Sequence, residues 1–307
     1  DSGCGSWLLE PQSTNLVTQS EDFSQWTFGG DTTIESGYLA PDGTNNAYKV
    51  SGTNNNIKLT VSGLIGTSQR TIFARTVSGN GTAKLFTHRN NTNNLFNITE
   101  QWQRFELNST TEATSEATFF GIDFRGGSLS EIILWGANAT NDQDYATSYI
   151  PTNGAASTRL QDIANNSGNA TLINSTEGVL YAEIAALADD GTNRAISINN
   201  GGLSDYLFFR YRSNNQFQII FRSGNNNIVN EVFTLSNNLD FNKIAFSYKL
   251  NEFKVFVNGL QIGSTITSGV VFGATINSLD FDQFNGTNKF YGKTKALVVY
   301  KEALTDE

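Results

Sequence analysis

Short runs in which apolar and polar residues alternate, broken by Gly, Asn and Ser, fill the chain from about Asn15 onward. Lys58–Val61, Thr71–Val77, Ala83–Phe86, Gln103–Leu107, Ala117–Phe124 and Glu131–Trp135 each predict a strand. Ser78-Gly79-Asn80-Gly81 supplies residues that tolerate positive φ, and so predicts a turn. The alternation then fades between Pro151 and Gly168 into small polar residues. That pattern divides the chain into a lead-in (1–14), a sandwich (15–152), a linker (153–168) and a second sandwich (169–307).

The second half repeats the pattern with larger aromatic residues. In Leu207–Arg212 the residues Leu207, Phe209 and Tyr211 share one face, and Arg210 and Arg212 take the other. Phe217, Ile219 and Phe221 line the next run, and Ile244, Phe246 and Tyr248 a third. Phe253, Val255 and Val257 lead into Asn258-Gly259 and then Leu260–Ile262, a strong hairpin signal because both turn residues accept positive φ. Phe209, Phe217, Phe221, Phe246, Val255 and Val257 are the expected core. Ala296–Tyr300 reads as a closing strand, and Ala303–Glu307 as the start of a helix with Thr305 as its cap.

Composition agrees with an all-β chain of two tandem β-sandwich, jelly-roll domains. Of 307 residues, 38% are hydrophobic and only 16% charged, so exposed positions are filled by Asn, Thr, Ser and Gly rather than helix-favouring Glu and Lys. The net charge is −9 and no basic run occurs, which excludes a nucleic-acid footprint. No apolar stretch approaches a membrane-spanning length, so membrane insertion is excluded, and no secretory leader pattern opens the chain. The first residue is Asp1 rather than Met, which reads as a processed or trimmed product. One cysteine, Cys4, allows neither an internal disulfide nor a Cys-based zinc site. One histidine, His88, sits in a polar loop, and every histidine-dependent catalytic design would have to pass through it.

Two passages carry a family resemblance. Leu8–Val17 leads into Ser20-Glu21-Asp22-Phe23-Ser24-Gln25-Trp26, and Leu134-Trp135-Gly136-Ala137 is followed by Asp144–Thr152. Together, with Ala155–Arg159 as the exit, they resemble the carbohydrate-binding-module-like jelly roll of bacteriophage tail and other virion proteins. Phe253–Gly259 and the ending Ala303–Glu307 are similar to the concanavalin A-like or laminin-G-like lectin/glucanase sandwich. The tandem pair implies a fibre, spike or decoration protein on a virion surface. Its implied partners are host cell-surface glycan and other virion proteins, and its implied assembly is a homo-oligomer such as a trimer.

Candidate chemistry follows from the resemblance and the residues together. Glucanases of the second fold use paired carboxylates, and Asp280-Phe281-Asp282 is the nearest approach, without the flanking glutamates. The expected function is therefore glycan binding without catalysis; the alternatives are a purely structural virion component and a secreted bacterial glycan hydrolase fragment. Stacking on an aromatic side chain beside amide donors points to Trp26, near Gly29-Gly30, and to Tyr206 with the loop residues Asn214 and Asn215. Trp102 and Trp135 read as core. Calcium accompanies both module types, and Asp189, Asp190 and Asn193 are its candidate ligands, with Asn141–Asp144 a second oxygen-rich run.

Overall fold

The structure is a computed structural model that describes residues 5–64, 66–86, 94–112, 118–141 and 144–304. Cys4, His88, Ala117, Asp142, Gln143 and the expected cap Thr305 lie outside the described residues. Among those described, the only helical turn is a 3-10 turn at Phe23–Gln25, and no helix is long and apolar enough to cross a membrane. The remainder is strand and loop. The all-β expectation holds because alternating runs bury one face and wet the other.

One compact unit runs from Gln12 to Leu160. Its first sheet has the order Gln103–Glu112, Gly66–Arg75, Glu131–Asn141, Ala47–Ser51, Thr33–Tyr38. The second has the order Thr27–Phe28, Asn56–Val61, Thr118–Asp123, Gly81–Leu85, Asn94–Ile98. Val50, Ile72 and Leu134 from the first sheet meet Ile57, Leu85 and Phe120 from the second in a single buried cluster. The other unit comprises Asp1–Pro11 and Gln161–Glu307. Its six-stranded sheet runs Trp7–Leu9, Gly292–Tyr300, Glu177–Ala186, Asn242–Lys249, Glu252–Val257, Leu260–Ile266. Its five-stranded sheet runs Asn226–Thr234, Gln216–Ser223, Tyr206–Tyr211, Arg194–Asn199, Ser278–Asp280.

The expected second core is present. Phe209, Phe217, Phe221, Phe246 and Val255 are buried in one cluster, and Val257 packs against it half-buried, near the hairpin end. Asn258 and Gly259 take φ of 51° and 86°, as a two-residue hairpin turn requires, and Val257 pairs with Leu260.

The structure divides the chain differently from the fading of the pattern. Trp7–Leu9, within the expected lead-in, is a strand paired with Gly292–Tyr300, with Leu9 in the second core. Ser157–Arg159, within the expected linker, pairs with Ser13–Asn15. Ser167, at the other end of that stretch, exchanges two backbone hydrogen bonds with Leu279. These pieces are too short to show a period, and long-range pairing alone makes them strands.

Strand Glu131–Asn141 shows what the two end passages do. It pairs with Ala47–Ser51 only through Leu134, and its ladder with Gly66–Arg75 slips between Trp135 and Asn138. Gly136, at φ 65°, makes that bulge, and Phe73 lies 3.2 Å from where a Cβ would stand. Beyond it, one edge of the strand lacks a strand partner, and the opening passage covers it. The buried Asn15 amide donates to the carbonyls of Ala137 (3.0 Å) and Ile150 (2.8 Å). Its oxygen accepts from the amides of Ala139 (2.9 Å) and Val17 (3.0 Å). Leu16 N–H bonds Ala139 O, and Ala137 N–H bonds Ser20 O.

Asn15→Ala should therefore lower the stability of this unit by about 3 kcal/mol or more, because four buried backbone groups lose a partner. Asn15→Asp should be at least as damaging, since a carboxylate cannot donate to the two carbonyls. Urea unfolding followed by tryptophan fluorescence checks both; a loss below about 1 kcal/mol in either would contradict the account.

Candidate functional site

The residues expected at a site from sequence take other places. Trp26 is 3% exposed, its indole N–H donates to Gln19 O (2.9 Å), and its ring meets Phe23 at 4.7 Å and Phe120 at 5.7 Å. The polar neighbours that suggested exposure form the 3-10 turn Phe23–Gln25, capped by Asp22, which turns both Phe23 and Trp26 inward. Trp26 is a core residue and no platform. Tyr206 is buried beneath Phe284, with stacked rings 4.3 Å apart. Its neighbour Asp205 is structural: Oδ1 accepts from the backbone of Gly273 (2.6 Å), Gly224 (3.3 Å) and Ala274 (3.3 Å).

Asn214 and Asn215 form a turn at φ of 60° and 57°. Asn214 is exposed, whereas Asn215 donates its backbone N–H to Asp189 (3.0 Å) and its side-chain oxygen accepts from the backbone N–H of Asn238 (2.8 Å). The calcium expectation fails on the same loops. Asp189 accepts from Asn215 and Asn238, and both oxygens of Asp190 are held by the buried Arg194 guanidinium at 2.9 and 2.8 Å, with Asn193 half-buried beside it. A cation would displace a bidentate ion pair there and be repelled by its guanidinium. No group of three or more His, Cys, Asp or Glu that could hold a metal occurs among the described residues.

Asp280 and Asp282 are not displayed as a catalytic pair either. Both are buried. Asp280 accepts from Asn166 N–H (2.5 Å), from Asn199 (2.7 Å) and from Ser278. Asp282 accepts from Asn165 (2.5 Å). Burial pushes the Asp282 carboxyl up despite the Asn165 hydrogen bond, and the neighbouring Asp280 adds to the rise.

Polar side chains do converge on solvent in the unit from Gln12 to Leu160. Glu21, Asp22, Asn46, Tyr48, Thr152 and Asn153 line an open cleft of about 340 Å³. The joined end passages build it. Ser20 N–H donates to Thr152 Oγ1 (3.0 Å), Thr152 N–H donates to Ser20 Oγ (2.8 Å), and Gln19 bridges Asn153. Glu21 accepts from Tyr149 hydroxyl (2.9 Å) on one oxygen and from the Asn46 amide (2.8 Å) on the other. Trp135 fixes that amide by donating its indole N–H to Asn46 Oδ1 (2.9 Å). Tyr48 hydroxyl donates to Asp22 (3.0 Å).

The electrostatics of the cleft follow from these bonds. Burial works against the Asp22 carboxylate, yet hydrogen bonds from Ser24 and Tyr48 hold it below the usual range. Burial pushes the Tyr149 phenol up, with Glu21 nearby reinforcing the shift against the Ser20 hydrogen bond, and burial likewise raises Tyr48, beside Asp22. The cleft therefore presents an ionised acceptor, neutral phenols and oriented amides. Such a set can hydrogen-bond hydroxyl groups, and its charge disfavours anions. Sequence reasoning missed it although Glu21, Asp22 and Thr152 stand inside the two quoted passages. Asn46 and Tyr48 lie a hundred residues from Thr152, and no local pattern joins them.

Residues 168–307, somewhat less than half of the chain, match the Concanavalin A-like lectin/glucanases superfamily. A search of curated proteins finds no match. Among solved structures, the chain is similar to the CBM40 of the Ruminococcus gnavus IT-sialidase at 15% identity, covering 47% of this chain and 91% of that one, with a TM-score of 0.39. That module has also been solved bound to α2,3-sialyllactose. The NanB sialidase of Streptococcus pneumoniae is similar at 13% identity, covering 47% of this chain and 27% of that one, with a TM-score of 0.36. A SAP-like pentraxin from Limulus polyphemus is similar at 13% identity over 46% of this chain and 70% of that one, with a TM-score of 0.36.

Asp205 yields a pH prediction. Burial opposes its charge, but the Ser204 hydroxyl and the backbone N–H groups of Gly273, Gly224 and Ala274 outweigh it and hold the carboxyl below its usual value. The unfolded chain then binds the proton more readily, so the stabilisation is complete above the unfolded value near about 4 and is lost as pH falls through the lower folded value. Asp205→Asn should lower stability at pH 7 and flatten its decline in acid. Denaturation midpoints of both proteins across that range test this, and parallel pH profiles would refute it.

Proposed function

We propose that this chain is a non-catalytic glycan-binding protein that holds a neutral sugar in the cleft of Glu21, Asp22, Asn46, Tyr48, Thr152 and Asn153. The observation that carries this reading is the oriented amide and carboxylate pair Asn46–Glu21, fixed from behind by Trp135 and Tyr149. A preorganised donor–acceptor set of this kind lowers the ordering cost of binding hydroxyl groups. The lectin/glucanase match of residues 168–307 supports a sugar-related role for the other half. Binding without hydrolysis fits the same geometry. Asp22 is held ionised, and Asp280 and Asp282 are buried beside amide donors, so neither of the latter is displayed to a substrate.

The finer reading is a virion surface protein, a tail fibre, spike or decoration, that meets host cell-surface glycan beside other virion proteins. It rests on the resemblance carried by Leu8–Val17, Ser20–Trp26 and Leu134–Thr152. A homo-oligomer, such as a trimer, would multiply weak sites into useful avidity. Light scattering of the purified chain and antibody labelling of intact particles test these two points.

The cleft itself is tested by a neutral-glycan array followed by titration calorimetry. Wild type should bind in the millimolar to micromolar range, about −4 to −8 kcal/mol. Asn46→Ala and Tyr48→Phe should each weaken that binding about tenfold. Asn46→Ala should also lower the unfolding midpoint, because it strips the Trp135 indole N–H of its acceptor, whereas Tyr48→Phe should change the midpoint little. Trp26→Ala should instead destabilise the fold, as the loss of a buried aromatic does. Failure of wild type to bind any glycan would leave a purely structural component, and release of reducing sugar from a polysaccharide would overturn the non-catalytic reading.

A further inference from the structure

The outer face of the five-stranded sheet in the unit of Gln161–Glu307 carries a strip of aromatic rings between arginines. Tyr206 and Phe208 stack at 5.5 Å, and Phe284 stacks on Tyr206 from a loop above. The Arg222 guanidinium lies 5.8 Å over Tyr206, and that of Arg210 lies 5.1 Å over Phe208. Arg212 follows two residues beyond Arg210 and is half-buried. All three stand in a chain of net charge −9.

No ion pair among the described residues includes Arg210, Arg212 or Arg222. Arg210 donates to the amide oxygens of Gln283 (3.2 Å) and Gln218, and Arg222 donates to Tyr206 hydroxyl (3.3 Å) and Asn225 O (2.9 Å). Every acceptor is neutral. Asp280 stands in register with Ser197, but Asn166 and Asn199 occupy its two oxygens. Asp282, buried two residues on, accepts from Asn165 and forms no ion pair among the described residues. Burial, reinforced by the positive charge of Arg212, pulls the Arg210 guanidinium below its ordinary value. Partly desolvated like charges without a counter-charge cost free energy that an anion would recover.

Phe284 adds a second and independent feature. It holds φ at 42°, a left-handed backbone that a bulky side chain rarely adopts, with its N–H on Ser197 Oγ (3.2 Å). The strained loop presents a half-exposed ring above the strip, and Val232, in register with Gln218, is 43% exposed on the same face. The two arginines are spaced by register. Arg222 pairs with Tyr206 and Arg210 with Gln218, four residues along one strand, roughly 13 Å. Two separated cations flanking an apolar strip match a repeating anion better than a single small one.

We propose that this face binds a polymer of uronic acid units, with carboxylates on Arg210 and Arg222 and a pyranose face on Phe284. Guanidinium takes carboxylate in a planar fork, which sets this chemistry apart from generic anion attraction. The site is separate from the cleft proposed above for neutral sugar, and either can fail without the other. The test is calorimetric titration of the full chain with polygalacturonate, with its fully methyl-esterified form, and with dextran sulfate. Polygalacturonate should bind at least about tenfold more tightly than either comparison polymer, a difference of about 1.4 kcal/mol. The double variant Arg210→Gln, Arg222→Gln should lose about tenfold or more in polygalacturonate affinity while binding neutral glycan as wild type does. Absence of polygalacturonate binding, equal binding of the ester, or equal binding of dextran sulfate would each overturn the assignment. Should the double variant fold poorly, the wild-type comparison of acid with ester decides alone.

Discussion

A buried amide at Asn15 holds together the place where the first sandwich would otherwise come apart. Strand Glu131–Asn141 changes partners midway, because its neighbour Ala47–Ser51 stops at Leu134 and Gly136 slips the ladder on the other side. The backbone groups beyond that point are buried and must be satisfied. One side chain meets four of the backbone groups gathered there, two as donor and two as acceptor, and the following residues Leu16 to Ser20 continue as a makeshift edge. No other short side chain carries both a double donor and a double acceptor. The cleft depends on this join, since Glu21 and Asp22 reach Asn46, Tyr48 and Thr152 only because Ser20 and Thr152 are bonded to each other.

Acidic residues in the second unit follow one physical rule. Its loops are rich in Asn, Gly and Ser, and many of their amide N–H groups have no strand to bond. Asp189, Asp190, Asp205, Asp280 and Asp282 each accept from such loops or from the amides and guanidinium groups beside them. A carboxylate with several acceptor sites closes a loop more cheaply than a new strand would. The same engagement removes these residues from metal and catalytic chemistry. It also explains the odd charge distribution: carboxylates are turned inward to loops, while Arg210, Arg212 and Arg222 stay on a sheet face without them.

Aromatic residues divide in a related way. Those at alternate positions facing the core, such as Phe209, Phe217 and Phe246, follow their strand period. Trp26 and Phe284 do not. Trp26 is turned inward by a single 3-10 turn, and Phe284 is held outward by a left-handed backbone over Tyr206. A sugar platform inferred from polar neighbours alone therefore pointed to a tryptophan that lies in the core, because turn geometry outweighs neighbour polarity.

By itself the sequence determined the β class, the sides of the long strands and the Asn258-Gly259 hairpin, because these depend on residue period and local φ preference. It also held the two stretches whose meeting builds the first unit, Gln12–Trp26 and Leu134–Thr152, although nothing local shows that they meet. Only the tertiary structure decided where Trp7–Leu9 and Ser157–Arg159 pair, since strands of three residues have no period to read. It alone set Asp190 against Arg194 rather than a cation, buried Trp26 and Tyr206, and gathered the cleft from residues far apart in the chain. Each of these outcomes depends on which groups come within about 3 Å across long separations, and hydrogen bonding at that range is a property of the folded backbone, not of neighbouring residues.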